Sequence, residues 1–369
     1  MRIKTLTTYN VYNYGASLQA YALQRYLTQQ GHDVEILNYQ PVYLTRKYDY
    51  RWVNPESKLS KYAITRFVYR ILKYFQRQTT LRRKKIFDVF TQQNLRQTSR
   101  CYRTLEELKD NPPEADLFIV GSDQIWNVFY DAGRDPAFYL DFVKGSSKSS
   151  YAASFSYINI DEENKIRIAN YLKDFKAISV REYHGLDILK SMRLNGTWVL
   201  DPVFLLSEEE WKIQMTDFIK KEPYMLIYDF EGNKDLKNFA KEYAKKNGLK
   251  LYAIMDTYPL LYADKNFNNA GPKEFITLIF NCDAFVSNSF HGTAFSILFE
   301  KPVFVFNRHR HKVNSRMESL LTLFNMKGCL IQSHEEAKNA LNINFDYIKT
   351  KEILKNELLK STTFLKELL

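Results

Sequence analysis

Ser287-Asn-Ser-Phe-His-Gly-Thr293 gathers an imidazole, three hydroxyls, an amide and a glycine within seven positions. An apolar run ends at Ser287 and small residues follow, so the segment reads as a strand end with His291 just before a helix. Backbone N–H groups at a helix start attract phosphate or carboxylate, and an adjacent imidazole can exchange a proton with the bound group. The plainer role for a lone histidine is to cap the helix or satisfy a core carbonyl. Val180-Arg-Glu182 sets a permanent cation at a second strand end. Arg181 suits bidentate binding of a planar anion, with a simple ion pair to Glu182 as the alternative. Arg308, His309, Arg310, His311 and Lys312 make a basic loop that either closes over an anion or is merely solvated. Arg316 falls in the first turn of a predicted helix, where a cation is unfavourable unless an anion is near. Gly121-Ser-Asp-Gln-Ile-Trp-Asn127 combines a carboxylate, two amides and an indole, a mixture suited to sugar hydroxyls or to a tight turn around a buried Trp126.

Such residues need strands and helix starts to hold them. Ile3 to Thr8, a helix from an N-cap at Ser17 to about Gln30, and a strand from Val34 read as a βαβ beginning. Asp116 to Val120 is a short buried strand running straight into Gly121. Further strands are predicted at Ser149 to Ser154, Ala177 to Val180 and Trp198 to Leu200. Residues 205 to 222 read as a hinge, after which strands and helices alternate again from Tyr224. Ser315 with Glu318 has the pattern of a capping box. In parallel α/β sheets, ligands sit at the carboxyl ends of strands, and Asn10 to Gln19, Gly121 to Asn127, Ser179 to Gly185 and Ser287 to Thr293 all fall there.

The 369 residues exceed one ordinary core, so two domains are expected. A hydrophobic fraction of 45% with 26% charged residues excludes a disordered chain. No apolar run reaches the roughly 18 residues of a membrane span, and the N-terminus lacks a signal-peptide pattern. Three scattered cysteines fit a reducing cytoplasm and no zinc site, so the expected localisation is cytoplasmic. There is no G-x-G-x-x-G, P-loop or H-E-x-x-H, hence no visible home for a dinucleotide, ATP or metal. The net charge of +11 is concentrated: residues 41–100 hold 15 Lys and Arg against Asp49, Glu56 and Asp88, leaving the rest close to neutral. From Lys61 to Phe75 the apolar residues keep helical spacing, which predicts a basic amphipathic helix.

Asn13-Tyr-Gly-Ala-Ser-Leu-Gln-Ala20, Val120 to Asn127, Tyr151-Ala-Ala-Ser-Phe155, Ser179 to Glu182, Leu200-Asp-Pro202 and Ser287 to Thr293 together resemble the polysaccharide pyruvyl transferase family, in the family's order and over roughly residues 8 to 325. The resemblance implies an α/β fold of two Rossmann-like domains in a GT-B-like arrangement. These are expected at 1–204, with the basic helical insertion at about 41–100, and at 205–345, followed by a C-terminal helix at 346–369. It implies phosphoenolpyruvate as donor, a sugar diol as acceptor, free or lipid-linked, and a cyclic pyruvate ketal as product, with no other cofactor. Donor binding is then expected from Arg181, Arg308, Arg316, Ser289, Gly292 and Thr293. Acceptor binding is expected from Asn13, Gln19, Ser122, Gln124, Trp126 and Asn127. His291 is expected to serve in acid–base catalysis, with Asp123 orienting or deprotonating the acceptor; the sequence does not order those two roles.

Two other functions fit parts of the pattern. A GT-B glycosyltransferase would use the same helix-start site for a nucleotide-sugar diphosphate. A non-catalytic nucleic-acid binder would use the basic block, although that block has an apolar stripe and no nucleic-acid motif, so no nucleic-acid partner is expected. Arg82-Arg-Lys-Lys85 and the neighbouring apolar residues instead suggest reversible contact with an anionic membrane surface.

Overall fold

The computed structural model describes residues 1–46, 53, 57, 62–255, 259–308 and 314–369, with only the backbone at 72, 73 and 75–79. Two parallel sheets organise it. The first is built from β1 (Arg2–Leu6), β2 (Asp33–Ile36), β3 (Leu117–Val120) and β4 (Ser147–Ser150), in the order β2-β1-β3-β4. A short parallel pair, β5 (Ser179–Val180) and β6 (Thr197–Trp198), adjoins it through the bridges Ser149 to Ala177 and Ala153 to Val180. The second sheet contains β7 (Tyr224–Tyr228), β8 (Lys250–Ile254), β9 (Lys265–Phe267), β10 (Ala284–Ser287), β11 (Val303–Phe306) and β12 (Leu330–Ile331), ordered β12-β11-β10-β7-β8-β9. β3, β7, β10 and β11 are buried at every position. That explains why they read as unbroken apolar runs: helices cover both faces of a parallel sheet.

The two units share one hydrophobic cluster. Leu18, Leu23 and Leu27 of the first helix, Tyr14–Gln29, belong to the same core as Phe275 and Ile279 of the Pro272–Asn281 helix and Phe295 of the Phe290–Leu298 helix. Tyr14 stacks on Phe275 with centroids 4.4 Å apart and donates its hydroxyl to the Ala270 carbonyl. The segment expected to be a hinge is packed instead. Ser207 and Glu210 form a capping box, and Trp211 is fully buried with its indole N–H on the Val203 carbonyl. The C-terminal helix Tyr347–Leu368 returns to the first unit, where Ser361 Oγ accepts from the Leu200 N–H and Lys176 Nζ donates to the Leu368 carbonyl. Phe364, Leu365 and Leu368 are buried there, each contributing at most about 1.5–3 kcal/mol.

Several local expectations change. The first helix starts earlier than Ser17, because Asn13 has the extended N-cap conformation and its side chain accepts from the Ala16 N–H. The basic helix is longer than its apolar spacing indicated and runs Ala63–Asn94. Ser315 is the first helical residue rather than the cap; Asn314 precedes it without a side-chain cap bond. His291 lies inside the first turn of the Phe290–Leu298 helix, not before it.

Candidate active site

The carboxyl ends of β1, β3, β5, β6 and β10 converge, and Asp201 lies where they meet. It follows β6 and caps the Pro202–Leu205 turn, with Oδ1 accepting from the Val203 N–H at 3.1 Å. Its other oxygen, Oδ2, takes Arg181 Nη1 at 2.8 Å, Ser122 Oγ at 3.2 Å and His291 Nε2 at 3.3 Å. Burying a carboxylate costs several kcal/mol unless it is paired and hydrogen-bonded. Burial alone would raise the Asp201 carboxyl; His291 and Arg181 outweigh it and hold the group well below the usual carboxylate range.

Arg181, just past β5, is buried among three acids. Besides Asp201, Asp123 Oδ1 lies 3.5 Å from Nη2 and Glu182 Oε2 lies 3.8 Å from Nε. Burial works against its charge, but these carboxylates raise its pKa further. Its Nε and Nη2 are nevertheless buried without a hydrogen-bond partner, as is Glu182 Oε2. The other Glu182 oxygen is held by Ser154 Oγ at 2.7 Å and the Ser156 N–H at 2.8 Å. Arg316 is the second buried guanidinium. The two flank the Phe290 ring, with their central carbons 4.2 Å and 5.8 Å from its centroid. Burial, and then the charge of Arg181, push Arg316 down to about 10. Two buried guanidiniums near one ring favour an anion beside them.

His291 joins the two units. Nε2 faces Asp201 at ion-pair distance without hydrogen-bond alignment, and the Nδ1 edge of the ring lies over Gly15 in the first turn of the first helix. A methyl group on Gly15 would fall 1.9 Å from Nδ1, so only glycine lets the ring and that helix start approach. Gly121 is needed for a different reason: its φ is +133°, and a side chain would run into the Tyr151 carbonyl at 2.0 Å. Together these place a carboxylate-backed imidazole beside two buried guanidiniums and the amide end of a sixteen-residue helix. Such a cluster can hold an anion and move a proton at its edge.

His291, Asp123, Arg181 and Arg316 are therefore neighbours, while the other predicted residues do different jobs. Gln19 and Ser122 support the cluster from behind. Gln19 Oε1 accepts from the Ser122 N–H, its amide donates to Thr7 Oγ1, and Ser122 Oγ donates to the Ala152 carbonyl as well as to Asp201. Three of the residues expected at the donor site have local roles. Ser289 is the helix N-cap with its Oγ on the Gly292 N–H, Thr293 returns both its N–H and its hydroxyl to the Ser289 carbonyl, and Gly292 is small because the Phe285 ring packs 2.7 Å from where a Cβ would sit. Arg308 pairs with Glu231 at 3.1 Å and lines a separate cavity of about 680 Å³ beside β11 and β12. Residues 309–313 of the basic loop lie outside the described residues.

Most of the residues expected at the acceptor site are engaged within the fold. Trp126 is fully buried, donates to the Phe138 carbonyl and stacks on Tyr139. Asn127 is fully buried, and its side chain closes the turn onto the Phe129 N–H and Gln124 Oε1. Gln124 is engaged by that contact, and Asn13 by capping the first helix. Asp201, by contrast, had no predicted role. Its signal was an acid directly before proline at a strand end, a turn-forming pair that conceals a buried ion partner. Among the described residues no three His, Cys, Asp or Glu are grouped as a metal ion needs.

The sequence model of a family described as polysaccharide pyruvyl transferase matches residues 13–310, most of the chain and every residue of the cluster except Arg316. No curated protein sequence matches. Among solved structures, UDP-GlcNAc 2-epimerase from Methanocaldococcus jannaschii is 11% identical, with 93% of this chain and 92% of that one covered at a TM-score of 0.52. The glycosyltransferase SsfS6 of Streptomyces sp. SF2575, solved with thymidine diphosphate, is 12% identical over all of both chains at 0.49. At 11% identity the likeness to the epimerase concerns the fold alone, an α/β fold of two parallel sheets.

Proposed function

This chain belongs to the polysaccharide pyruvyl transferase family, and we propose that it transfers pyruvyl from phosphoenolpyruvate to two hydroxyls of one sugar, releasing inorganic phosphate. The observation that carries the reading is the pair of buried guanidiniums, Arg181 and Arg316, beside the Asp201-backed His291. Phosphoenolpyruvate brings a carboxylate and a phosphate. Arg181 and Arg316 supply fork-shaped donors for both, and the start of the Tyr14–Gln29 helix adds partial positive charge.

The chemistry follows from placement. A proton from the His291 imidazolium goes to the donor's methylene carbon, which becomes the methyl group and leaves the adjacent carbon electrophilic. One sugar hydroxyl adds there and loses its proton. The carbon–oxygen bond to phosphate then breaks, phosphate leaving with the bonding pair, and the second hydroxyl adds and loses its proton to close the ketal. Of the two hydroxyl protons released, one restores His291 and the other leaves with phosphate. Asp201 faces the imidazole at 3.3 Å and holds it in place. Asp123, at the cluster's more open side, is positioned to orient or deprotonate the incoming hydroxyl. Acceptor-dependent release of inorganic phosphate from phosphoenolpyruvate tests this. Nucleotide release from a nucleotide-sugar with no phosphate from phosphoenolpyruvate would instead make the chain a glycosyltransferase.

We further propose that the enzyme works at an anionic membrane face on a lipid-linked saccharide. The support is the front of the Ala63–Asn94 helix, where Tyr62, Ile64 and Phe67 are 68%, 77% and 64% exposed beside exposed Arg66 and Arg70. Each nearby cation contributes roughly 1 kcal/mol of attraction to anionic lipid, and exposed rings add shallow insertion. The Arg82–Lys85 run contributes less than its charge suggests, because Arg83 is buried on Tyr12 and Tyr14 and Lys84 pairs with Asp88. Among the described residues no helix is long and apolar enough to cross a membrane. Phosphatidylglycerol vesicles at low salt should retain the wild-type protein and lose it on Arg66→Glu with Phe67→Glu. Equal retention of both proteins sinks the membrane role.

A further inference from the structure

With Trp126 and Asn127 buried, the Gly121–Asn127 turn offers the acceptor little beyond Asp123 and Gln124, and a cavity elsewhere has the chemistry to hold the rest of the sugar. It is about 570 Å³ in volume and lies between the loop after β1 and the rear half of the Ala63–Asn94 helix. Its lining includes Tyr12, Gln40, Asp88, Gln92 and Gln97. Three amides, a carboxylate and a phenol offer both donors and acceptors, which hydroxyl groups require. The lining carries two cations, Arg103 and Lys84, and one acid, Asp88; Lys84 pairs with Asp88 and rests over the Tyr12 ring at 5.4 Å. Uncharged polar side chains outnumber these charged ones, which suits a polyol.

The cavity is also tied to the reacting groups. Tyr12 takes a left-handed backbone conformation, φ 51°, uncommon for an aromatic residue, and Arg83 fixes its carbonyl at 3.1 Å. Three residues further along, Gly15 touches His291. Three residues of chain span at most about 11 Å, so the wall of the cavity is within a short saccharide's reach of the imidazole.

We propose that this cavity is the acceptor subsite and takes a hydroxyl-rich sugar, an assignment that rests on the pyruvyl-transfer reading. The rear half of the basic helix is then a specificity wall, and Gln92, exposed on that wall, is the residue to block.

Binding and turnover separate the two readings. Saturation-transfer NMR without donor, using methyl glycosides of galactose, glucose, mannose and N-acetylglucosamine, should show at least one binding to wild type. Gln92→Trp should abolish that signal by filling the cavity, and Asp88→Asn should weaken it, with both variants folded by circular dichroism. In the phosphate-release assay both should raise the KM for that glycoside by about tenfold or more, the scale of one or two lost hydrogen bonds, with the KM for phosphoenolpyruvate unchanged. No binding of any glycoside to wild type, or binding and acceptor KM unchanged in both variants, overturns the subsite. Glycoside binding that the variants abolish, with phosphoenolpyruvate never consumed, supports a saccharide site here and removes pyruvyl transfer instead.

Discussion

The loops after β3 and β10 begin alike: each leaves a wholly buried parallel strand through small polar residues and reaches an aromatic side chain. They end differently. The Gly121–Asn127 loop turns its indole and second amide inward, onto Phe138, Phe129 and Gln124, while the Ser287–Thr293 loop uses Ser289 to cap a helix and leaves His291 facing Asp201 and the opposite unit. A polar loop at a strand end thus becomes structural when its own fold satisfies its groups, and chemical when a group must look across the junction for a partner. Asp123 is the exception inside the first loop: it adopts φ 66° and faces Arg181 from the other side.

The contrast is sharpest in paired variants. His291→Ala should lower turnover by about a hundredfold or more while the urea midpoint stays near wild type. Trp126→Ala should do the reverse, costing about 3–5 kcal/mol of stability and leaving the activity per folded molecule largely intact. A destabilised His291→Ala with normal turnover would collapse the distinction.

Arg181→Ala tests the acids around it. It strands Asp201, Asp123 and Glu182, so urea denaturation should show a loss of about 3–5 kcal/mol. Arg181→Lys restores charge without the fork, and its KM for phosphoenolpyruvate should remain about tenfold or more above wild type. Full recovery with lysine would mean that no bidentate contact is made.

Gly15→Ala pushes a methyl group into the space of His291 Nδ1. A displacement near 1 Å should cost about tenfold to a hundredfold in kcat. In the His291→Ala background the same change should cost almost nothing, because the ring it strikes is gone; equal losses in both backgrounds would place the effect elsewhere.

The smallest effect is in pH dependence. Asp201 is depressed by His291 and Arg181 against the pull of burial. Its stabilising share is therefore complete above the ordinary carboxyl value of about 3.9 and fades as pH falls toward the lower folded value. The stability gap between wild type and Asp201→Asn should be widest at neutral pH and narrow in acid, as read by urea melts from neutral pH downward. A gap that holds constant would mean that this carboxylate gains nothing from its partners.

The alternation of buried strands and helices was legible because a parallel sheet needs apolar runs, and β3, β7, β10 and β11 supply them. The placing of His291, Arg181 and Arg316 at helix starts and strand ends was legible for the same reason. What spacing cannot carry is the direction of a side chain. Trp126 and Asn127 look like ligand residues until the Pro136–Tyr139 turn fills the space they face. Asp201 looks like a turn residue until Arg181 and His291, 20 and 90 positions away, arrive at its second oxygen. Residues 205–222 lead into the second sheet at Tyr224, but spacing could not show that Trp211 packs between Tyr21 and Phe295, one from each unit.

Protonation of the donor's methylene carbon by His291 is the step on which the account depends, and turnover in D2O reads it directly. Phosphoenolpyruvate and the acceptor glycoside, incubated with wild-type protein and analysed by mass spectrometry and NMR, should give inorganic phosphate and a cyclic ketal whose methyl group carries a single solvent deuterium. His291→Ala should form that product far more slowly. A product without deuterium in its methyl group, or one made at the wild-type rate by His291→Ala, would contradict the assignment.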